Sequence, residues 1–199
     1  MNRIKSLSLV VLAALTTVAF AQPAHALVNV SAVGSFNITN PKLDPSNALV
    51  TAGNGFGGGA LISFPLMTAF ELETGLLYTP FVTHIGLAPL EANLTQKYLV
   101  IPVIARFTLL PLISFGAGIS YGIKSGDLTS DNSLFSTAGM SAKNNLGLTG
   151  SIALRLPLAP AFGILVDARY TLGLTDQDDS ASSQKFNQIQ ILAGLNFKL

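Results

Sequence analysis

Residues 113 to 123 alternate strictly between apolar side chains and small ones. The apolar positions are Ile113, Phe115, Ala117, Ile119, Tyr121 and Ile123, and the positions between them hold only Ser or Gly. A period of two is the repeat of a β-strand whose two faces meet different surroundings. Such a run is about long enough to cross a bilayer as a tilted strand, whereas strands of soluble proteins usually have about 5–6 residues. The stretch therefore predicts a transmembrane β-strand, and the alternative is a long edge strand of a soluble protein.

Similar alternation recurs along the chain and predicts eight strands in four hairpins. The strands are expected at 28–38, 56–64, 69–79, 95–108, 113–123, 145–156, 161–174 and from about 188 to 199. Long connections follow every odd-numbered strand, at 39–54, 80–93, 124–144 and 175–184. Short turns follow the even-numbered ones. This layout is typical of outer-membrane barrels, which have short periplasmic turns and long extracellular loops. We predict an all-β fold, an eight-stranded antiparallel up-and-down transmembrane β-barrel.

The alternation does not say which face of each strand points inward. The polar face holds mostly Gly, Ser and Thr with a few charges, which suits the interior of a small barrel. A soluble surface would carry more Lys and Glu. We therefore expect the apolar face to meet lipid. The alternative is a soluble lipocalin-like barrel of reversed polarity, whose apolar interior would hold a lipophilic ligand.

The first residues have the features of a secretory signal peptide. Arg3 and Lys5 precede an apolar run at 7–20, and Ala24-His25-Ala26 supplies a cleavage site. We expect cleavage after Ala26, which leaves residues 27–199 as one outer-membrane barrel domain. A retained membrane anchor is the alternative, although the apolar run is short for a spanning helix.

Composition narrows the classes of partner. Charged residues make up 11% of the chain and the formal net charge is only +1, so we expect no nucleic-acid partner. The absence of cysteine excludes disulfides, thiolate metal sites and a cysteine nucleophile. The partners we predict are outer-membrane lipids and the outer-membrane assembly machinery of a Gram-negative cell envelope. The long loops offer a surface for an extracellular ligand.

Six charged residues fall at positions that should point into the barrel: Glu71, Glu73, Arg106, Arg155, Asp167 and Arg169. Unpaired charges in a tight interior are unfavourable, so these side chains should pair or reach water. One hypothesis is a structural network that plugs the lumen. The other is a narrow porin-like channel for ions or small solutes. The interior of an eight-stranded barrel is about wide enough for side chains alone, so a channel would need the network to rearrange.

Other residues offer weaker signals for chemistry. An outer-membrane lipid-modifying enzyme would need a nucleophile, a base and an acid. His84 is the single histidine after residue 26, and Glu91 could orient it. Asp176, Asp178 and Asp179 form a loose acidic cluster that leaves calcium binding as an alternative. Tyr78, Tyr121 and Tyr170 lie near strand ends, as in an interfacial aromatic girdle. We predict no catalytic residues, no cofactor and no metal site, and therefore not an enzyme.

Four segments carry a resemblance to a known family: residues 98–103 leading to Arg106, then 115–122, 167–174 and 193–197. Together they resemble the small porin-like outer-membrane β-barrel proteins of the PorT and OmpA-barrel type. The resemblance spans nearly all of the chain after residue 26 and implies the architecture rather than an activity. One departure is the C-terminus. Such barrels commonly end in Phe, which belongs to their assembly signal, but this chain ends in Phe197-Lys198-Leu199.

Overall fold

The computed structural model describes residues 28–44, 50–87, 90–110, 112–132, 143–176 and 183–199. The predicted signal peptide with Ala26, and the loop residues Asp178 and Asp179, lie outside these residues. Within the described ranges the chain forms nine antiparallel strands: β1 (Asn29–Asp44), β2 (Val50–Met67), β3 (Phe70–Leu87), β4 (Leu90–Leu110), β5 (Ile113–Lys124), β6 (Thr129–Ser130), β7 (Asn145–Ala159), β8 (Phe162–Gly173) and β9 (Ser183–Lys198).

Eight of these strands close into a barrel. Each barrel strand pairs with the next one along the chain, and β9 pairs with β1 to complete the ring. The two-residue strand β6 lies outside the ring and pairs with Leu94 and Thr95 of β4. The prediction of an eight-stranded antiparallel up-and-down barrel is confirmed, with β6 as a small addition.

The register fixes the stagger of the strands. Successive Cα partners lead once around the barrel from Asn29 through Ser63, Glu73, Ile104, Gly118, Thr149, Thr171 and Gln188 to Thr39. The circuit thus returns to β1 ten residues from its start. Strand stagger requires tilt, and strands in such barrels lie at about 35–45° to the barrel axis. The inward side chains therefore interleave at different heights along the lumen.

The two ends of the barrel differ. At one end, the turn end, tight turns join β2 to β3, β4 to β5 and β7 to β8. The two backbone hydrogen bonds between Val28 and Leu199, of 3.1 and 2.9 Å, lie at this end as well. At the opposite end, the loop end, the strands run far beyond the ring. The long loops predicted at 39–54 and 80–93 were therefore wrong in extent. β3 reaches Leu87 and β4 resumes at Leu90.

β3 continues through Pro80, where the sequence predicted a loop. Proline has no N–H to donate, which usually removes it from the middle of a sheet. β3 has Cα partners on β2 at Tyr78 and again at Thr83, but none between them. β2 carries one extra residue in this interval, a β-bulge. Pro80 lies opposite this bulge, where the ladder does not need its missing N–H.

Candidate functional site

An apolar belt covers the outer wall of the barrel. Many large apolar side chains on it are exposed, among them Ile152 at 55% and Ile191 at 48%. The seam between β1 and β9 shows the belt most clearly, because its outward side chains form five successive apolar or glycine pairs: Val30–Phe197, Ala32–Leu195, Gly34–Ala193, Phe36–Ile191 and Ile38–Ile189. These pairs span nine residues of β1, which is about the length of a membrane-crossing strand. A continuous exposed apolar wall of this kind is expected where protein meets lipid.

Glu73 is the centre of the charged lumen. Its side chain is 1% exposed and accepts hydrogen bonds from Arg106 Nε at 2.8 Å and Arg106 Nη2 at 2.9 Å. Arg169 Nη2 donates to the same carboxylate at 2.8 Å. Arg155 Nη2 lies 3.9 Å from it. One carboxylate on β3 is therefore held by arginines from β4, β7 and β8.

Asp167 is the second buried acceptor. It pairs with Arg106 Nη2, and Arg169 Nε donates to its Oδ2 at 2.9 Å. Arg106 also donates to Ser151 Oγ on β7 at 3.2 Å. Gly116, the register partner of both Arg106 and Ser151 on the intervening strand β5, makes this reach possible. A Cβ at Gly116 would lie 2.5 Å from Ser151 Oγ.

The remaining pair lies closer to the turn end. Arg155 Nη1 donates to Glu71 Oε2 at 2.5 Å, and these side chains are 19% and 15% exposed. Both line a cavity of about 290 Å³ at the turn end, together with Ser114 and Lys198. The structure thus brings all six predicted lumen residues into one connected network. Three arginines face three carboxylates, so the network carries no net charge.

Apolar side chains fill another part of the lumen, although the sequence predicted an interior of small, polar and charged residues. They lie beside buried uncharged polar residues such as Asn37, whose Oδ1 accepts a hydrogen bond from Gln190 Nε2 at 2.7 Å. The inner cluster is formed by Val33, Leu61, Leu77, Ala153, Leu165 and Leu192. These residues are out of phase with the outward apolar positions of their own strands. That mismatch is the signal by which they could have been found. The apolar cluster adjoins the charged network, since Ala153 and Leu192 are the register partners of Asp167 on the two neighbouring strands.

Aromatic side chains cover the inner space towards the loop end. Phe81 lies 4.6 Å from Tyr98 and 5.9 Å from Phe186, measured between ring centroids. Tyr98 is fully buried, and its hydroxyl donates to the carbonyl of Lys143 at 3.0 Å. The aromatic side chains lie beyond the charged network and the apolar cluster, on the side of the loop end.

The loop end carries a polar cluster that includes His84. His84 Nδ1 donates to Asn93 Oδ1 at 3.0 Å. Asn93 in turn donates from its backbone N and from Nδ2 to the two oxygens of Asp131, each at 2.7 Å. These hydrogen bonds from Asn93, and secondarily the charge of His84, lower the pKa of the exposed Asp131 carboxyl. The hydrogen-bond partner of His84 is thus Asn93 and not Glu91, which the alternative of a lipid-modifying enzyme would require.

The structure also bears on the three tyrosines and on the acidic cluster singled out in the sequence. Tyr78, Tyr121 and Tyr170 are exposed on the outward face, at 39%, 41% and 49%. Of the acidic cluster that left calcium binding as an alternative, Asp176 alone is among the described residues. Within those residues no group of three or more His, Asp or Glu side chains could hold a metal ion. No helix in the same ranges is long and apolar enough to span a membrane.

The fold and the outer wall define a class, the small outer-membrane β-barrels. No protein-family model matches the sequence, and no curated protein sequence matches it. Among solved structures the chain is similar to outer membrane protein OprG from Pseudomonas aeruginosa, with 16% identity, a TM-score of 0.55, and coverage of 87% of this chain and 96% of that chain.

Two further solved structures are similar over comparable lengths. Neisserial surface protein A (NspA) has 11% identity and a TM-score of 0.53, and the match covers 86% of this chain and 97% of that chain. The Escherichia coli Outer Membrane Protein W has 16% identity and a TM-score of 0.50, with coverage of 87% and 98%. At these identities the likeness shows the fold, which is that of small outer-membrane barrels.

Proposed function

We propose that this protein is an integral outer-membrane β-barrel with a structural or surface-interaction role and a plugged lumen. The observation that carries the proposal is the combination of an apolar outer wall with an interior that holds a buried, neutral charge network. A soluble lipocalin-like barrel would need the opposite arrangement, an apolar cavity and a charged surface. The likeness to OprG, NspA and Outer Membrane Protein W supports the same class.

The proposed orientation follows from the two ends of the barrel. Short turns belong to the periplasmic side and long loops to the extracellular side in this class. Delivery by a signal peptide cleaved after Ala26 would bring β1 in from the periplasm, where the turn end lies. The extended strands and loops at the other end would then face outside the cell and be available to an extracellular ligand.

Assembly into the outer membrane is part of the proposal. The outward apolar face persists to the end of the chain, since Phe197 is 39% and Leu199 71% exposed. An outward apolar face of this kind supports recognition by the assembly machinery. Membership of the PorT and OmpA-barrel family in particular is proposed on the sequence resemblance.

The interior supports a plug rather than a channel. Ions could pass only if Arg106 left Glu73, Asp167 and Ser151 together, which would expose several buried charges. No cofactor or catalytic set is part of the proposal, and the protein is proposed not to be an enzyme. If His84 had a catalytic role in lipid modification, replacing it with Ala would change the lipid profile of the membrane.

Electrophoresis of purified outer membranes tests the proposal. We expect the protein in the outer-membrane fraction, with a mobility in SDS gels that changes when the sample is heated. Folded membrane barrels resist SDS until heated because every backbone polar group is paired within the closed wall. Recovery as a soluble periplasmic protein with no heat-dependent shift would contradict the proposal.

A further inference from the structure

Two lysines face each other above the apolar belt on the β1–β9 seam. Lys42 and Lys185 are direct register partners, and both are exposed. Like charges directly opposite each other on neighbouring strands are destabilising. Among the residues described, neither lysine forms an ion pair with a carboxylate. The pair therefore concentrates two positive charges at one point of the surface.

The position of this pair relative to the belt is well defined. The last apolar pair of the seam is Ile38–Ile189. An Asn40–Asn187 pair follows it, and the Lys42–Lys185 pair comes next. Side chains two residues apart on a strand point the same way, so the lysines continue the outward face, and both are exposed. Asn187, between Ile189 and Lys185, is covered. Four residues of strand extend about 13 Å, which a tilt of about 35–45° reduces to about 10 Å along the membrane normal.

That height corresponds to the headgroup layer of the leaflet. The apolar core of a bilayer ends with the belt, and the polar headgroups lie directly beyond it. Lysine can bend its apolar stem back along the protein surface while its ammonium group stays in the polar layer. Both ammonium groups can therefore converge on a group at the level of the headgroups.

The two asparagines between belt and lysines have separate roles. Asn187 is buried, with 3% of its surface exposed, and its Oδ1 accepts a hydrogen bond from the backbone N of Gly173 at 3.3 Å. It thus links the end of β8 to β9. Asn40 is exposed beside the lysines and offers a neutral donor to the same region.

From this arrangement we infer that Lys42 and Lys185 form a binding site for a phosphate-bearing lipid of the outer leaflet. A phosphate group offers negative charge and several acceptor oxygens to two adjacent ammonium groups. Its binding removes the repulsion within the pair. The site lies on the lipid-facing wall rather than in the lumen, so the occupant is a membrane lipid and not a solute entering the barrel. The inference rests on the membrane location proposed above.

Binding measurements with the full-length protein refolded in zwitterionic micelles test the site. The probes are lipid A with both phosphates and the same lipid with its phosphates removed, each dispersed in the same detergent. Each lysine should contribute about fivefold to the affinity for the phosphorylated lipid, by the general value for cationic residues near an anionic membrane surface. Lys42→Gln or Lys185→Gln should thus weaken binding about fivefold, and the double variant about thirtyfold.

Matched controls make the outcome specific. Lys198→Gln removes an exposed lysine at the turn end and should leave the affinity unchanged. The dephosphorylated lipid should bind all variants alike. Equal affinity of the wild type and the double variant would overturn the inference, as would equal loss in Lys198→Gln. Displacement of the lipid by excess inorganic phosphate would overturn the assignment to a membrane lipid.

Thermal unfolding is a second measurement, in which the double variant and the wild type should respond differently to lipid A. In micelles without lipid A, the double variant should be at least as stable as the wild type, because a repulsive pair has been removed. With lipid A added, the wild type should gain stability and the double variant should not. A double variant that gains as much as the wild type would contradict the inference. Heat-dependent mobility of the same samples separates this failure from that of the proposed function, since a variant that still shifts is a folded barrel.

Discussion

At the scale of single residues, Glu73 determines how the lumen is filled. Arginines from three strands converge on this one carboxylate, and it is almost completely buried. A buried ion network adds little net stability compared with apolar packing, but removal of one partner leaves an uncompensated charge inside the protein. The network is therefore sensitive to the loss of its centre and much less sensitive at its exposed margin.

Glu73→Gln should destabilise the folded barrel by about 3–5 kcal/mol, because three arginines would then share two carboxylates. Urea unfolding in lipid vesicles measures the change. Glu71→Gln is the matched control, since Glu71 is partly exposed and its pair with Arg155 should be worth no more than about 1 kcal/mol. Similar losses for the two variants would contradict the central position of Glu73.

Asp131 anchors the loop after β5 to Asn93 on β4, because its two carboxylate oxygens each accept a hydrogen bond from Asn93. Asp131→Asn should therefore increase the hydrogen-exchange rate of the Asn93 amide at neutral pH. Asp127→Asn, at an exposed carboxylate of the same loop, is the control and should have no effect. Amide exchange followed by NMR or mass spectrometry measures both variants. Unchanged protection in Asp131→Asn would contradict this anchor.

The pH dependence of this anchor has a defined sign. Because the folded pKa of Asp131 lies below its ordinary value of 3.8, the anchor is fully present above that value. It is lost as the pH falls through the lower, folded pKa. The difference in Asn93 protection between wild type and Asp131→Asn should therefore persist from neutral pH to about pH 4 and disappear in stronger acid. A difference that vanished between pH 5 and 7 would contradict the assignment of the anchor to the Asp131 carboxylate.

At the scale of strands, the alternation predicted which residues face inward better than it predicted where strands end. The predicted strand 113–123 agrees with β5 to within one residue. The alternation is strict over its whole length, and turn or loop signals mark both of its ends. β3 and β4 extend far into a segment predicted as loop. Beyond the belt both faces of a strand meet water or loops, so alternation there carries no signal, and Pro80 resembles a strand end.

The alternation also identified the charged residues of the lumen, because each lies at an inward position in a segment of otherwise apolar or small residues. Their partners were not identified. Glu73 and Arg169 are 96 residues apart in sequence, and their contact depends on the register around the whole ring. Register is set by turns and bulges, including the extra residue in β2, which a single sequence does not reveal.

Gly118 tests how closely β4 and β5 approach each other. A Cβ at Gly118 would lie 2.7 Å from Ile104 Cα and closer still to the Val103 carbonyl oxygen. Gly118→Ala should force the strands apart and destabilise the barrel by about 1–3 kcal/mol. Gly150→Ala is the control, because nothing lies within 4 Å of its added Cβ. Equal urea-unfolding midpoints for the two variants would contradict this packing.

At the scale of the whole molecule, the barrel has a lipid-facing exterior and an interior closed by its own side chains. We therefore predict that the wild type gives no steady conductance in planar bilayers. The double variant Glu73→Ser with Arg106→Ser removes a neutral pair of long side chains and should admit ions where the wild type does not. Steady channels in the wild type would contradict the plug and favour the porin-like alternative.

Fluorescence quenching tests most directly whether the apolar face of the barrel meets lipid. The chain contains no cysteine, so Ile152→Cys provides a unique attachment point in the middle of the exposed belt. A fluorophore attached there in lipid vesicles should be quenched by lipids with brominated acyl chains and protected from aqueous iodide. Asp127→Cys, in a loop, should give the reverse. Quenching of the Ile152 label by iodide but not by brominated lipid would contradict a membrane-embedded barrel.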